Sequence, residues 1–115
     1  MAGKGKKLTV LWTNDNPETA KNMVFMYVTN AMKLGWWDEI TVLIWGATAA
    51  LTVQNEDLHP YIEEMQRVGV YLSACKACAE NLGVADELEE MGIEVKYWGI
   101  GLTEVLQNNE KLLTV

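Results

Sequence analysis

The sequence predicts an α/β domain: a three-layer, flavodoxin-like or Rossmann-like sandwich with a five-stranded, mainly parallel sheet and helices on both faces. Three observations predict it. Strand-like and helix-like stretches alternate along the chain through five strands, the order that parallel crossovers require. Residues 40–45 (Ile-Thr-Val-Leu-Ile-Trp) form an apolar run of the kind found in strands buried on both faces. The helical stretches close on glycines, Gly35, Gly69, Gly83 and Gly92, where a left-handed C-terminal residue is favoured.

Taken in order, residues 8–12 are short, apolar and rich in β-formers, and read as the first strand. The turn Thr13-Asn14-Asp15-Asn16-Pro17 ends it; Asn16 can cap a helix and Pro17 suits its first turn. Ala20, Met23, Val24, Tyr27, Val28 and Ala31 then recur at helical spacing. Phe25 and Met26 fall off that stripe, beside Lys21, Asn22 and Asn30, so the apolar band is wider than one core face needs. Residues 40–45 are the second strand, residues 46–53 read as a small-residue apolar loop, and Leu58, Tyr61, Ile62, Met65 and Val68 mark the next helix. Residues 70–74 are the third strand, followed by a short helix from Cys75 to Gly83 and an acidic helical segment over residues 84–91. Ile93, Val95 and Tyr97 alternate with polar residues as a fourth strand. A last helix covers residues 102–107 and a terminal strand residues 111–115. Residues 1–7, with Lys4, Lys6 and Lys7 among glycines, read as a frayed N-terminal tail, and residues 8–115 as a single domain.

Composition narrows the function. The chain has 115 residues, enough for one core, and 50% apolar residues, too many for disorder. A net charge of −7 argues against nucleic acid and against anionic membrane surfaces as partners. No segment has the run of apolar residues that a membrane helix needs, and no apolar signal region follows the basic start, so a cytoplasmic location is expected. In a reducing compartment two cysteines three residues apart point to metal, redox or sulfur chemistry, not to a disulfide framework. Zinc fits poorly, because Cys75, Cys78 and the distant His59 fall short of four ligands. No cofactor is expected: the loop after the first strand lacks a phosphate-cradling pattern, and neither a dinucleotide fingerprint nor a Walker motif occurs.

The chemistry therefore centres on Cys75 in Ala74-Cys75-Lys76-Ala77-Cys78-Ala79. Cys75 lies where the third strand meets a helix N-terminus, whose partial positive charge favours a thiolate, and Lys76 adds a cation. Cys78, one turn on, can resolve a mixed disulfide or persulfide. In open parallel sheets ligands bind beyond the strand carboxyl ends, at the switch in strand order. For the order 2-1-3-4-5 that switch would unite Cys75 with Asn14, Asp15 and Asn16. In that order the second strand is an edge, and its apolar character, with Phe25 and Met26, favours a homo-oligomer. His59 reads as a surface residue, and Trp36-Trp37 as either a core cap or a subunit anchor.

The chain also resembles the DsrE/DsrF-like proteins, related to the TusD subunit of a tRNA-thiolation sulfur relay. The resemblance runs through Thr13-Asn14-Asp15, Gly35-Trp36-Trp37-Asp38-Glu39-Ile40-Thr41-Val42, Ile44-Trp45-Gly46, Gly69-Val70, the Cys75 segment, Gly92-Ile93-Glu94-Val95 and Leu102-Thr103-Glu104. It implies a parallel α/β sandwich assembled as trimers or hexamers, with Cys75 matching the cysteine on which relay members carry a persulfide. Cys78 stands where those members often have alanine, and Asn81-Leu82 replace their arginines, so neither a relay role for Cys78 nor a TusD-type partner carries over. The expected function is a sulfur carrier that accepts sulfane sulfur on Cys75 from a donor protein and yields it to an acceptor, with Cys78 secondary. Asn14, Asp15, Asn16, Gly46 and Lys76 are the expected binding residues. The alternatives are an oligomeric binding module without catalysis and a dithiol redox protein using Cys75 and Cys78.

Overall fold

Short apolar runs bounded by turn residues become strands here, and the computed structural model, which describes residues 5–115, pairs all five in parallel. They are β1 (Lys7–Trp12), β2 (Glu39–Ile44), β3 (Tyr71–Cys75), β4 (Glu94–Lys96) and β5 (Leu112–Thr114). Their order across the sheet is β4-β3-β2-β1-β5, not the 2-1-3-4-5 expected. β2 is thus the central strand, bonded to β1 in the register Val10↔Val42 and to β3 in the register Val42↔Leu72. Its apolar run reflects burial inside the sheet, and the argument for an oligomer from an exposed β2 edge falls.

The strand order also fixes the layers. From β1 to β4 the chain steps the same way across the sheet, so right-handed crossovers leave those helices on one face. The final step from β4 back to β5 runs the other way and leaves its helix on the opposite face. The crowded face carries α1 (Pro17–Thr19), a π-helical stretch (Ala20–Phe25), α2 (Met26–Lys33), α3 (Ala47–Gln54), α4 (His59–Arg67), α5 (Lys76–Leu82) and α6 (Ala85–Glu90). Beneath them lie Leu8, Val10 and Trp12, Ile40, Val42 and Ile44, and Leu72 and Ala74, which the registers align on one side. The other face carries only α7 (Gly99–Gln107), and its sheet residues are more polar: Thr9, Thr41, Tyr71 and Ser73, with Leu43 fully buried.

Three local expectations change. The π stretch accounts for the wide apolar band: a π turn rotates the side chains that follow it. Phe25 consequently points inward, 5.2 Å from the Trp12 ring in an edge-to-face contact and stacked on Tyr61, while Met26 stays exposed. Residues 47–54 are helical, not a loop. Gly46 precedes them at φ 71°, ψ −134° without a capping side chain, so no start signal exists in the sequence. The β-branched Thr48 and Thr52 are accommodated because both hydroxyls find buried partners, Thr48 Oγ1 donating to the Trp12 carbonyl (2.8 Å) and Thr52 Oγ1 to the Thr48 carbonyl (2.8 Å). Lys6 and Lys7 are not tail: Lys7 opens β1, and the Lys6 carbonyl accepts from the Asp38 and Glu39 N–H groups. Residues 1–4 of the expected tail lie outside the described residues.

His59 is half-buried, its Nε2 2.9 Å from the Thr52 carbonyl oxygen. Trp37 caps the core with Nε1 donating to the Tyr27 hydroxyl (3.0 Å), whereas Trp36 remains exposed against the Tyr27 ring. Among the described residues no helix is long and apolar enough to cross a membrane.

Candidate functional site

The carboxyl ends of β1, β2 and β3 deliver the expected site residues, and the strand order decides which of them meet. Asn14, Asp15 and Asn16 follow β1, whereas Cys75 ends β3, and β2 stands between, a separation of about 10 Å from strand spacing alone. The expected cleft between neighbouring strands 1 and 3 therefore does not form. The loop's polar groups serve its own turn and the next helix. Asn14 Oδ1 accepts from the Asn16 N–H (2.9 Å), and Asn16 Oδ1 accepts from the N–H groups of Glu18 (2.8 Å) and Thr19 (3.1 Å), capping α1. Asp15 is exposed. The switch in strand order lies between β1 and β5, where the Thr13 N–H and hydroxyl both donate to the Val115 carbonyl.

What the fold does bring together is the loop after β2 and the helix after β3. Because α3 packs on α5, Gly46 and Ala47 face Cys78, Asn81 and Leu82 across an open pocket of about 300 Å³. Gly46 and Cys78, both expected at the site, thus share one cavity, which the sequence could not reveal because it depends on β2 and β3 being neighbours. Lys76 points elsewhere, its ammonium 5.2 Å from the Tyr97 ring centre, and the Tyr97 hydroxyl donates to Glu80 Oε1 (3.1 Å).

Cys75 is the N-cap residue of α5 and only 4% exposed. Both cysteines are free thiols, Cys75 buried and Cys78 partly exposed. Burial pushes the Cys75 thiol above its ordinary value, the nearby Cys78 side chain pushes it further, and the N–H groups of Cys78 and Ala77 only partly offset this. The direction is opposite to the helix-lowered thiolate expected at Cys75, and its largest cause is burial of the sulfur.

Two residues below Cys75, sequence reasoning missed a polar network. Ser73, fully buried, donates from Oγ to Glu94 Oε1 (2.8 Å) and accepts from Trp98 Nε1 (2.7 Å). The Lys96 ammonium lies 4.5 Å from the Trp98 ring centre. Burial, then the Glu94 carboxylate, push the Tyr71 hydroxyl up to about 12, while the Tyr71 hydroxyl holds the Glu94 carboxyl below its usual value. The network pins β4 and the start of α7 onto β3. The only prior signal was the polar Ser73 in an otherwise apolar strand. A second groove of about 290 Å³, between the π stretch and α4, is lined by Lys21, Asn22, Phe25, Met26, Thr29, Asn30, Tyr61 and Glu64 and contains no cysteine. Among the described residues no three His, Cys, Asp or Glu side chains gather as a metal site requires.

The five-stranded parallel sheet with this helix arrangement is a flavodoxin-like three-layer fold. It is shared by MTH1491 from Methanobacterium thermoautotrophicum, a protein of unknown function (TM-score 0.71, 16% identity, 96% of this chain and 99% of that one), and by YchN from E. coli (TM-score 0.69, 15% identity, 96% and 98%). A far nearer match is the structure of BT1422 from Bacteroides thetaiotaomicron, a conserved protein of unknown function, with 42% identity over 100% of this chain and 99% of that one and a TM-score of 0.94. The chain belongs to the family of BT1422. No family model matches the chain, and no curated protein matches it.

Proposed function

We propose that this protein is a DsrE/DsrF-like sulfur carrier, related to the TusD type, that holds sulfane sulfur as a persulfide on Cys75. One observation carries the reading: a buried thiol ends β3 and stands beside a second, partly exposed thiol that opens onto a pocket. A persulfide is readily reduced by free thiols, so a carrier needs a sheltered sulfur with a nearby route to the surface. The chemistry is a sulfane transfer without net oxidation. A thiolate attacks the outer sulfur of a donor persulfide, a new S–S bond forms on the protein, and the donor thiolate leaves and takes a proton from water. The reverse step onto an acceptor thiol returns the protein to its dithiol form.

A cytoplasmic homo-oligomer, trimeric or hexameric, belongs to the same proposal. Exposed Met26, Trp36 and Ile100 support it, Ile100 being 77% exposed. Light scattering on the purified protein tests the assembly. Wild type treated with inorganic polysulfide without reductant should gain the mass of one sulfur and lose it to glutathione, and the double variant Cys75→Ser/Cys78→Ser should gain nothing. Wild type that gains no sulfur overturns the carrier reading. The placement of the two thiols three residues apart at the start of α5 favours dithiol redox exchange as the second reading; a reversible Cys75–Cys78 disulfide across a glutathione series, without sulfur uptake, would establish it. Neither behaviour would leave the oligomeric binding module.

A further inference from the structure

From the pocket and the unequal exposure of its two thiols, we infer that Cys78 receives sulfur from the donor first and passes it inward to Cys75. The inference rests on the carrier reading and specifies the order of events within it.

Three features of the chain carry it. Cys75 is almost wholly buried, so a donor cannot bring a sulfane sulfur in line with it while the fold is intact. Cys78 is partly exposed and lines the pocket with Gly46, Ala47, Asn81 and Leu82. Cys75 caps α5 and Cys78 follows three residues on in its first turn, a spacing that sets the two side chains beside each other on one side of the helix. Small side chains on the α3 side and the absence of lysine or arginine among the lining residues suit the tip of a persulfide better than a doubly charged anion such as thiosulfate.

The steps balance. Cys78 thiolate attacks the outer sulfur of a donor persulfide, giving Cys78–S–SH and the donor thiolate. The Cys75 sulfur then attacks the outer sulfur of Cys78–S–SH. A new bond forms to Cys75, the old S–S bond breaks, and the Cys75 proton passes to the departing Cys78 sulfur. A neutral, buried Cys75 thiol is no obstacle to this step, because its proton moves to the neighbouring sulfur as the bond forms. Burial then protects the stored persulfide from cytosolic thiols.

The test follows polysulfide loading by mass spectrometry with site assignment. Cys78→Ser should load Cys75 at least about tenfold more slowly than wild type, since only rare opening exposes the buried thiol. Cys75→Ser should load promptly, carry the sulfur on Cys78, and surrender it to glutathione faster than wild type. Cys78→Ala, which keeps a small apolar group, must agree with Cys78→Ser, and far-UV circular dichroism checks that both fold. Iodoacetamide should modify Cys78 before Cys75 whether or not sulfur is carried. Cys78→Ser loading at the wild-type rate, or prior alkylation of Cys75, overturns the order while leaving the carrier reading intact. Wild type that never loads removes the carrier reading itself, and with it this inference.

Discussion

Replacing Ser73 with alanine should destabilise the protein by about 2 kcal/mol, and the reasoning can be followed bond by bond. The Ser73 hydroxyl makes one hydrogen bond to the carboxylate of Glu94 (2.8 Å) and receives one from the Trp98 indole (2.7 Å). A bond to a charged group contributes roughly 1.5–3 kcal/mol and a neutral one roughly 0.5–1.5 kcal/mol. The full sum is not expected, because Glu94 is exposed and regains water when its donor disappears. Trp98 Nε1, partly buried, has no such recourse, so the cost falls mainly there. At about 2.1 cal/mol/K of unfolding entropy per residue, 2 kcal/mol in a chain of this length lowers Tm by roughly 8 °C. Thermal unfolding followed by circular dichroism reads this directly, at one protein concentration for all variants so that any association is held constant. The double variant Ser73→Ala/Trp98→Phe supplies the sharper check. With the donor gone as well, no orphan remains, and the two losses should fall short of additive by about 0.5–1.5 kcal/mol. A Tm for Ser73→Ala within about 2 °C of wild type, or strict additivity in the double variant, would refute the claim that this network ties β4 and α7 to β3.

Two further outcomes follow from the same geometry. Gly46→Ala should destabilise by about 1–3 kcal/mol although nothing beyond its own chain neighbours lies within 4 Å of the added methyl group, because φ 71°, ψ −134° is strained for any L side chain; chemical denaturation gives the cost, and an altered rate of Cys78 alkylation would register the shift in the pocket. For pH, Tyr71 titrates at about 12 in the folded chain against 10.0 ordinarily, so its contribution is complete below pH 10 and is lost as pH rises from 10 to about 12. The raised Cys75 thiol acts in the same direction, whereas Glu94, held below its ordinary 4.5, contributes above that value and loses its contribution as the solution becomes more acidic. Tyr71→Phe should accordingly flatten the alkaline limb in urea denaturation and let the Glu94 carboxyl titrate closer to 4.5 by NMR; an unchanged alkaline limb would contradict the assignment.

Much of the architecture was legible because it is written in local periodicity and punctuation. The apolar runs of β1, β2 and β3, the Asn16-Pro17 helix start and the closing glycines each act within a few residues. They determine the alternation of strands and helices, and they place Cys75 where β3 gives way to α5. The missed helix α3 had no such mark, since Gly46 caps nothing and threonines disfavour helices until burial supplies partners for their hydroxyls. The inward turn of Phe25 was hidden for a related reason, as a π turn breaks the spacing on which the reading depends.

What the sequence determined by itself is the alternation of the five strands with all their helices but α3, and the position of the two cysteines along them. Only the tertiary structure decided which strands are neighbours, because a strand offers the same backbone donors and acceptors to any partner. That choice put β2 at the centre, separated Asn14, Asp15 and Asn16 from Cys75, and set Gly46 opposite Cys78. It also decided how much water reaches each thiol. Helix-end charge favours a thiolate at Cys75 when read locally, but neighbouring elements exclude solvent from that sulfur and leave Cys78 exposed to the pocket. Burial is a sum over elements distant in sequence, which is why the relative accessibility of two thiols three residues apart could be read only from the folded chain.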